Sequence, residues 1–253
     1  MSQPVTLTAL EGLPLFKDGD DLVTATLAAM GQLNGGLKDG DILVFAQKVV
    51  SKVEGRVAQL SSVTPSAKAE ELALVADKDP RLVELILSES QTVMRCRRGV
   101  IIVRHRLGTV LANAGIDASN VDEAGDLVLL WPLDPDASCR RIREQILKQT
   151  GKNVAVVIND SIGRAWRMGA VGLAIGSDGL PALIDLRGRP DLFGRPLQVS
   201  EQAIADEVAG AASLVQGQAA ESRPVVLVRG LQFDAPNSDV SVLLRPEAED
   251  LFL

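Results

Sequence analysis

Short apolar runs closed by turn residues recur along the chain, and they outnumber clean strand–helix–strand units. That pattern favours a mixed α+β fold over a doubly wound one. Val5 to Leu10 alternates as a half-buried strand should, and Ile42 to Val50, entered from the turn Lys38-Asp39-Gly40-Asp41, reads as a buried strand. Further strand runs span Gln91 to Val103, with a hairpin turn at Leu107-Gly108-Thr109, then Val128 to Trp131, Val154 to Ile158 and Val225 to Val228. Gly169 to Gly179 is apolar and glycine-punctuated, which suits a strand with close-packed turns.

Helical segments are marked by their ends. Asp20 and Asp21 precede an apolar face at Leu22, Val23, Leu27 and Met30. Two helices, Ser66 to Asp77 and Arg81 to Ser90, are separated by Pro80. Asp134-Pro135-Asp136 supplies a capping side chain with proline at the first helical position, and Gly151 closes that helix after Thr150. Ser200 to Val215 reads as one long helix. Residues 61–68 and 232–240 read as loops, not linkers, so the expectation is one domain over residues 1–253, divisible at most into two interleaved subdomains.

The 253 residues carry a formal charge of -7, which argues against nucleic-acid and anionic-membrane partners. Two widely separated cysteines, Cys96 and Cys139, fit a reduced cytosolic protein. The start of the chain lacks a signal-peptide pattern, and no apolar stretch approaches the roughly 20 residues of a membrane helix. The expected location is the cytoplasm.

Nucleophile signatures are missing. There is no phosphate-binding glycine loop of the G-x-x-x-x-G-K-[ST] type, no G-x-S-x-G elbow and no H-E-x-x-H. The single histidine, His105, sits between arginines and reads as an ordinary strand residue. Three polar segments remain. Gln47-Lys48-Val49-Val50-Ser51-Lys52-Val53-Glu54-Gly55-Arg56 offers cations for phosphate oxygens, although taken alone it reads more readily as a solvated hairpin with surface lysines. Asn113-Ala114-Gly115-Ile116-Asp117-Ala118-Ser119-Asn120 offers hard oxygen ligands among small residues, or a plain Asx-turn. Asn159-Asp160-Ser161-Ile162-Gly163-Arg164-Ala165-Trp166-Arg167-Met168-Gly169 puts an acid and a hydroxyl after an apolar strand, with two arginines suited to phosphate or carboxylate. Separate acids with basic groups point to phosphoryl chemistry assisted by Mg²⁺ or Mn²⁺; zinc is disfavoured by the scarcity of His and Cys.

These segments, in order with Gly12-Leu13-Pro14-Leu15, Gly19-Asp20-Asp21-Leu22 and Ala205-Asp206-Glu207, resemble the coenzyme F420-0:L-glutamate ligase (gamma-glutamyl ligase) family over nearly the whole chain. The resemblance implies a mixed α/β fold, an intertwined homodimer, and a GTP- and divalent-metal-dependent ligase. Such an enzyme adds L-glutamate to coenzyme F420-0, with K⁺ as a further candidate ion. By position it implies metal ligands at Asp117, Asp160, Ser161 and Gln218. It implies nucleotide contacts at Gly12, Leu13, Pro14, Leu15, Gln47, Lys48, Lys52 and Asn120. Arg164 and Arg167 also match the pattern, and we read them as catalytic anchors for phosphate or carboxylate. The chain departs from the family in having Ser161 and Ala165 where Asp-Thr-x-Gly-Arg-Pro is usual, and in Arg104-His105-Arg106-Leu107-Gly108. The second departure leaves room for a different carboxylate acceptor; a nucleotide phosphohydrolase on the same metal site is the other alternative.

Overall fold

The computed structural model describes residues 4–118 and 125–250. Its elements in chain order are β1 (Thr6–Ala9), α1 (Leu22–Met30), β2 (Ile42–Ala46), α2 (Gln47–Val53), β3 (Val57–Gln59), α3 (Ala67–Ala76), α4 (Pro80–Ser88), β4 (Ser90–Arg97), β5 (Val100–His105) and β6 (Val110–Ala112). They continue with β7 (Leu127–Leu129), α5 (Pro135–Thr150), β8 (Ala155–Arg164), β9 (Arg167–Asp178), β10 (Ile184–Asp185), β11 (Glu201–Gln202), α6 (Ile204–Gln216) and β12 (Val225–Arg229). The fold is mixed α+β, as the strand-rich pattern predicts. Among the described residues no helix is long and apolar enough to cross a membrane.

A five-stranded sheet in the order β1-β12-β2-β8-β9 forms the middle layer. Only β2 and β8 are parallel neighbours; the other pairs are antiparallel. Strands buried on both faces read as continuous apolar runs, which is why Ile42-Leu43-Val44-Phe45 shows no alternation. One face packs against α1 and α5 through Leu22, Met30, Ile142 and Ile146; the other packs against α6 through Val208, Ala209 and Ala212. A third apolar cluster joins α3 and α4 to the β4-β5-β6 sheet through Leu72, Val83, Ile86 and Ile101.

The marked helix ends hold. Asp21, Ser66 and Asp134 each accept a backbone N–H of the first turn, and Gly151 adopts φ 68 at the end of α5. Pro80 opens α4 instead of lying between helices. The edge strand β9 is covered by side chains: Gly172, Ala174 and Ser177 donate their N–H groups to Ser213, Asp206 and Asp136. This blunts an exposed ladder and gives Asp206 a structural task.

Other boundaries also differ from expectation, among them the strand expected over Val128 to Trp131, which is β7 and ends at Leu129. The strand expected over Ile42 to Val50 stops at Ala46, and α2 begins at Gln47. Two valines suggested extension, but Gln47, Val50 and Ser51 share one buried helical face, where Gln47 Nε2 donates to Ser51 Oγ at 2.6 Å. The run Gln91 to Val103 is two strands turning at Arg98-Gly99, where Gly99 takes φ 84. The strand expected to end at Ile158 runs on to Arg164, so Asp160 and Ser161 lie within it. The helix expected from Ser200 starts at Ile204, because Glu201 and Gln202 pair with β10.

Candidate active site

β1, β2 and β8 point the same way, so their C-terminal ends share one edge of the sheet. Most of the predicted residues gather there for that reason alone. Gly12 to Leu15 follow β1, Gln47 and Lys48 follow β2, and Asp160 comes one residue after the Ala46–Asn159 pair in β8. Gln218 lies between α6 and β12, whose N-terminal end meets that edge. Ligands of open α/β sheets bind at such strand ends.

The tightest cluster is Lys48, Lys52, Asp117 and Asp160. Lys48 Nζ lies 2.7 Å from Asp117 Oδ2. Asp117 is fixed by paired backbone hydrogen bonds with Leu129, 3.0 and 2.8 Å. Before it, Asn113, Ala114 and Gly115 all take positive φ, a sharp left-handed turn that residues other than glycine adopt at a cost. Asp160 Oδ2 accepts the Trp131 indole N–H at 2.7 Å, and its Oδ1 accepts the Ser161 N–H at 2.7 Å.

Charges couple across this cluster. Burial pushes the Asp160 carboxyl up to about 6, and the charge of Asp117 adds to the push against the hydrogen bonds from Trp131 and Ser161 and the charge of Lys48. Lys52 is lowered, first by burial and then by Lys48, with Asp117 opposing. A buried carboxylate raised in part by a second one, with an ammonium seated on that second one, forms a donor set that fits a hard divalent cation. No group of three or more His, Cys, Asp or Glu suited to a metal occurs among the described residues. Few protein ligands suit Mg²⁺, which keeps waters and takes phosphate oxygens beside one or two carboxylates.

The remaining predicted residues separate from this cluster. Ser161 projects from the opposite face of β8: its neighbour two positions back, Asn159, donates to Ala209 O and Gln216 Oε1 on α6. Gln218, just beyond α6, is exposed. Gln47 is only 1% exposed and donates to Ser51 Oγ and Leu130 O, while its Oε1 is buried without a hydrogen-bond partner. Gly12 takes φ 73, Leu13 packs on the core, and Leu15 is exposed. Arg164 and Arg167 face each other at the tip of the β8–β9 arm, with Arg164 about 13 Å beyond Asp160 along an extended strand. Within one chain, the two arginines do not join the acids. Asn120 lies outside the described residues.

The Arg104 to Gly108 segment divides. His105 is fully buried, and Arg106 is tied to Glu89 and to the carbonyls of Pro132 and Leu133, so these two serve packing. Arg104 lines a cavity of about 420 Å³ with Gln91, Asp206 and Arg245. That cavity does not include the acid pair. Trp131, which sequence reading treats only as a strand end, is the side chain that reaches Asp160.

The F420-0:Gamma-glutamyl ligase family model matches residues 12–230. The coenzyme F420:L-glutamate ligase of Methanothermobacter thermautotrophicus is 44% identical over 250 residues, covering 98% of each chain. The enzyme of the same name from Methanocaldococcus jannaschii is 42% identical, covering 95% of this chain and 94% of its own. That of Archaeoglobus fulgidus is 42% identical over 98% and 96%. Matches of this extent define an enzyme of the ligase class, one that forms amide bonds. The chain belongs to the F420-0:gamma-glutamyl ligase family.

Proposed function

We propose that this chain is a GTP- and divalent-metal-dependent ligase that adds L-glutamate to coenzyme F420-0. The observation that carries the reading is the acid pair Asp117 and Asp160 with Lys48 and Lys52 at the sheet's C-terminal edge, in a chain whose relatives are named coenzyme F420:L-glutamate ligases. Asp117 and Asp160 would hold Mg²⁺ or Mn²⁺, with Ser161 on the far face of β8 and Gln218 just beyond α6 as further ligands and K⁺ as a further ion. The cation would supply Lewis-acid neutralisation of the nucleotide phosphates. Lys48 and Lys52, with Gln47, Asn120 and the Gly12 to Leu15 turn, would seat the nucleotide.

In the first step a carboxylate oxygen of the acceptor attacks the γ-phosphorus and GDP leaves, giving an acyl phosphate. In the second the glutamate amine attacks the acyl carbon, inorganic phosphate leaves, and the amine gives up a proton. No protein nucleophile is needed, so the chain's work is positioning and charge compensation. Phosphate release from GTP should require both F420-0 and L-glutamate, with and without K⁺. Release that is indifferent to both would instead mark a phosphohydrolase.

A different carboxylate acceptor is the second reading, and the departure at Arg104 favours it. Because His105 and Arg106 are engaged inside the protein, Arg104 and Gly108 are the members of that segment that line a cavity, and Arg104 brings the charge with which an acceptor could be sensed.

A homodimer is supported by the β8–β9 arm, which leaves Trp166 90% and Met168 98% exposed, and by the exposed Leu192 and Phe193 on the loop between β10 and β11. Such apolar surface calls for a cover, and a second copy would also bring Arg164 and Arg167 to an acid pair. Light scattering should report about twice the 26.8 kDa chain mass, falling to one chain for Trp166→Ser combined with Met168→Ser. A wild-type monomer would remove the dimer from the account.

A further inference from the structure

We infer that Trp131 is a positioning residue for the acid pair: its indole N–H fixes the Asp160 carboxylate, and a buried clamp centred on Glu89 fixes Trp131. The inference rests on the reading that Asp160 binds a divalent cation. Four observations converge on the indole. Its N–H lies 2.7 Å from Asp160 Oδ2, while the Ser161 N–H holds Oδ1, so both oxygens are oriented and each keeps lone-pair capacity for a cation. The ring is 1% exposed and rests on His105 with centroids 4.7 Å apart at 48°. Gly115, at φ 66, packs so closely on the indole that an added β-carbon would overlap its nitrogen. That contact ties the turn carrying Asp117 to the residue holding Asp160.

The fourth observation is the grip on the backbone around Trp131. Four consecutive carbonyls accept hydrogen bonds from side chains. Leu130 O accepts from Ser51 Oγ at 2.7 Å and Gln47 Nε2 at 3.2 Å, and Trp131 O from Arg56 Nε at 2.7 Å. Pro132 O and Leu133 O accept from Arg106 at 2.9 and 2.7 Å. Both arginines meet on Glu89, at 2.7 and 2.9 Å. Gln47 and Ser51 belong to α2, the helix that carries Lys48 and Lys52. One segment therefore backs the lysines and the acid together. A tryptophan that merely filled the core would need neither an N–H aimed at a carboxylate nor four anchored carbonyls behind it.

Outer partners that orient a ligand change metal affinity by roughly 10–100-fold. The test is Mn²⁺ alone, titrated into the full-length protein without nucleotide and followed by the electron paramagnetic resonance of free Mn²⁺. Three variants are compared with wild type: Trp131→Phe, Asp160→Asn, and Trp131 replaced by benzothienylalanine, which keeps the ring shape and lacks only the N–H. Expected are a loss of roughly tenfold or more for both Trp131 replacements, a larger loss for Asp160→Asn, and near-native circular dichroism throughout. Wild-type affinity in the benzothienylalanine protein, with Asp160→Asn still impaired, would overturn the positioning role and leave the metal site standing. Wild-type affinity in Asp160→Asn would overturn both. Poor folding of Trp131→Phe would not obscure the result, because the benzothienyl side chain preserves the packing.

Discussion

Asp160→Asn is expected to lower turnover by about a thousandfold or more, the scale of losing a principal transition-state charge contact, while leaving the protein as stable as wild type or more so. The two halves of the expectation have one cause. The folded protein holds the Asp160 carboxyl at about 6, above its ordinary value, chiefly by burial. A raised carboxyl contributes stability when protonated and loses it as pH rises through the range from its ordinary value to about 6. At neutral pH the charge is therefore a burden on the metal-free fold, and it is retained where a cation can offset it. The asparagine carbonyl can still accept the Trp131 N–H, while its amide nitrogen gives up the bond from the Ser161 N–H, a smaller loss than the relief of the buried charge. Thermal unfolding without metal, measured beside turnover with saturating Mn²⁺, reads both halves. Retained turnover with metal present would strip Asp160 of its role.

Glu89→Gln should have the largest effect on stability, a loss of roughly 3 kcal/mol, as expected when one member of a buried ion network is removed. Glu89 is 7% exposed and lies between Arg56 and Arg106 with His105 Nε2 3.6 Å away. Burial pushes its carboxyl up, yet the nearby His105 and the hydrogen bonds from Arg56 and Arg106 outweigh burial and hold it down to about 2. A depressed carboxyl contributes stability above its ordinary pKa and loses it as pH falls toward about 2. The wild type should thus weaken steeply on acidification below about pH 4.5, and Glu89→Gln should flatten that limb while lowering the plateau at neutral pH. Urea unfolding of both proteins across that range would show it. Coincident curves would mean that the two arginines are satisfied by the carbonyls of Trp131, Pro132 and Leu133 without the acid.

Much of the fold was legible where local chemistry decides. Asp134, Pro135 and Gly151 delimit α5 at both ends, and Asp21 marks the start of α1, because caps act over three or four residues. The α2 helix was not legible. Its two valines favour extension, and what turns the chain is a buried face whose polar members, Gln47 and Ser51, bond to Leu130, about 80 positions away. The long β8 was hidden because its outer half is an arm whose exposed residues show no apolar run.

For the candidate site, residue types named the acids and lysines, and the parallel pairing of β2 with β8 explains why segments a hundred residues apart meet at one edge. Strand geometry then divides Asp160 from Ser161 and carries Arg164 and Arg167 outward. Trp131 carried no signal in sequence: its partner is 29 positions away, and the clamp behind it joins Arg56 to Glu89 across 33 more. Pairings of that length are fixed by tertiary packing, not by local pattern.

Glutamyl transfer to coenzyme F420-0 can be read from mass spectra of the products formed by purified protein with coenzyme F420-0, GTP, Mn²⁺ and L-glutamate, each omitted in turn. A glutamyl-extended coenzyme is expected only when every component is present. No extension under complete conditions, with nucleotide binding still detectable by calorimetry, would contradict it and turn attention to another carboxylate and to the cavity beside Arg104.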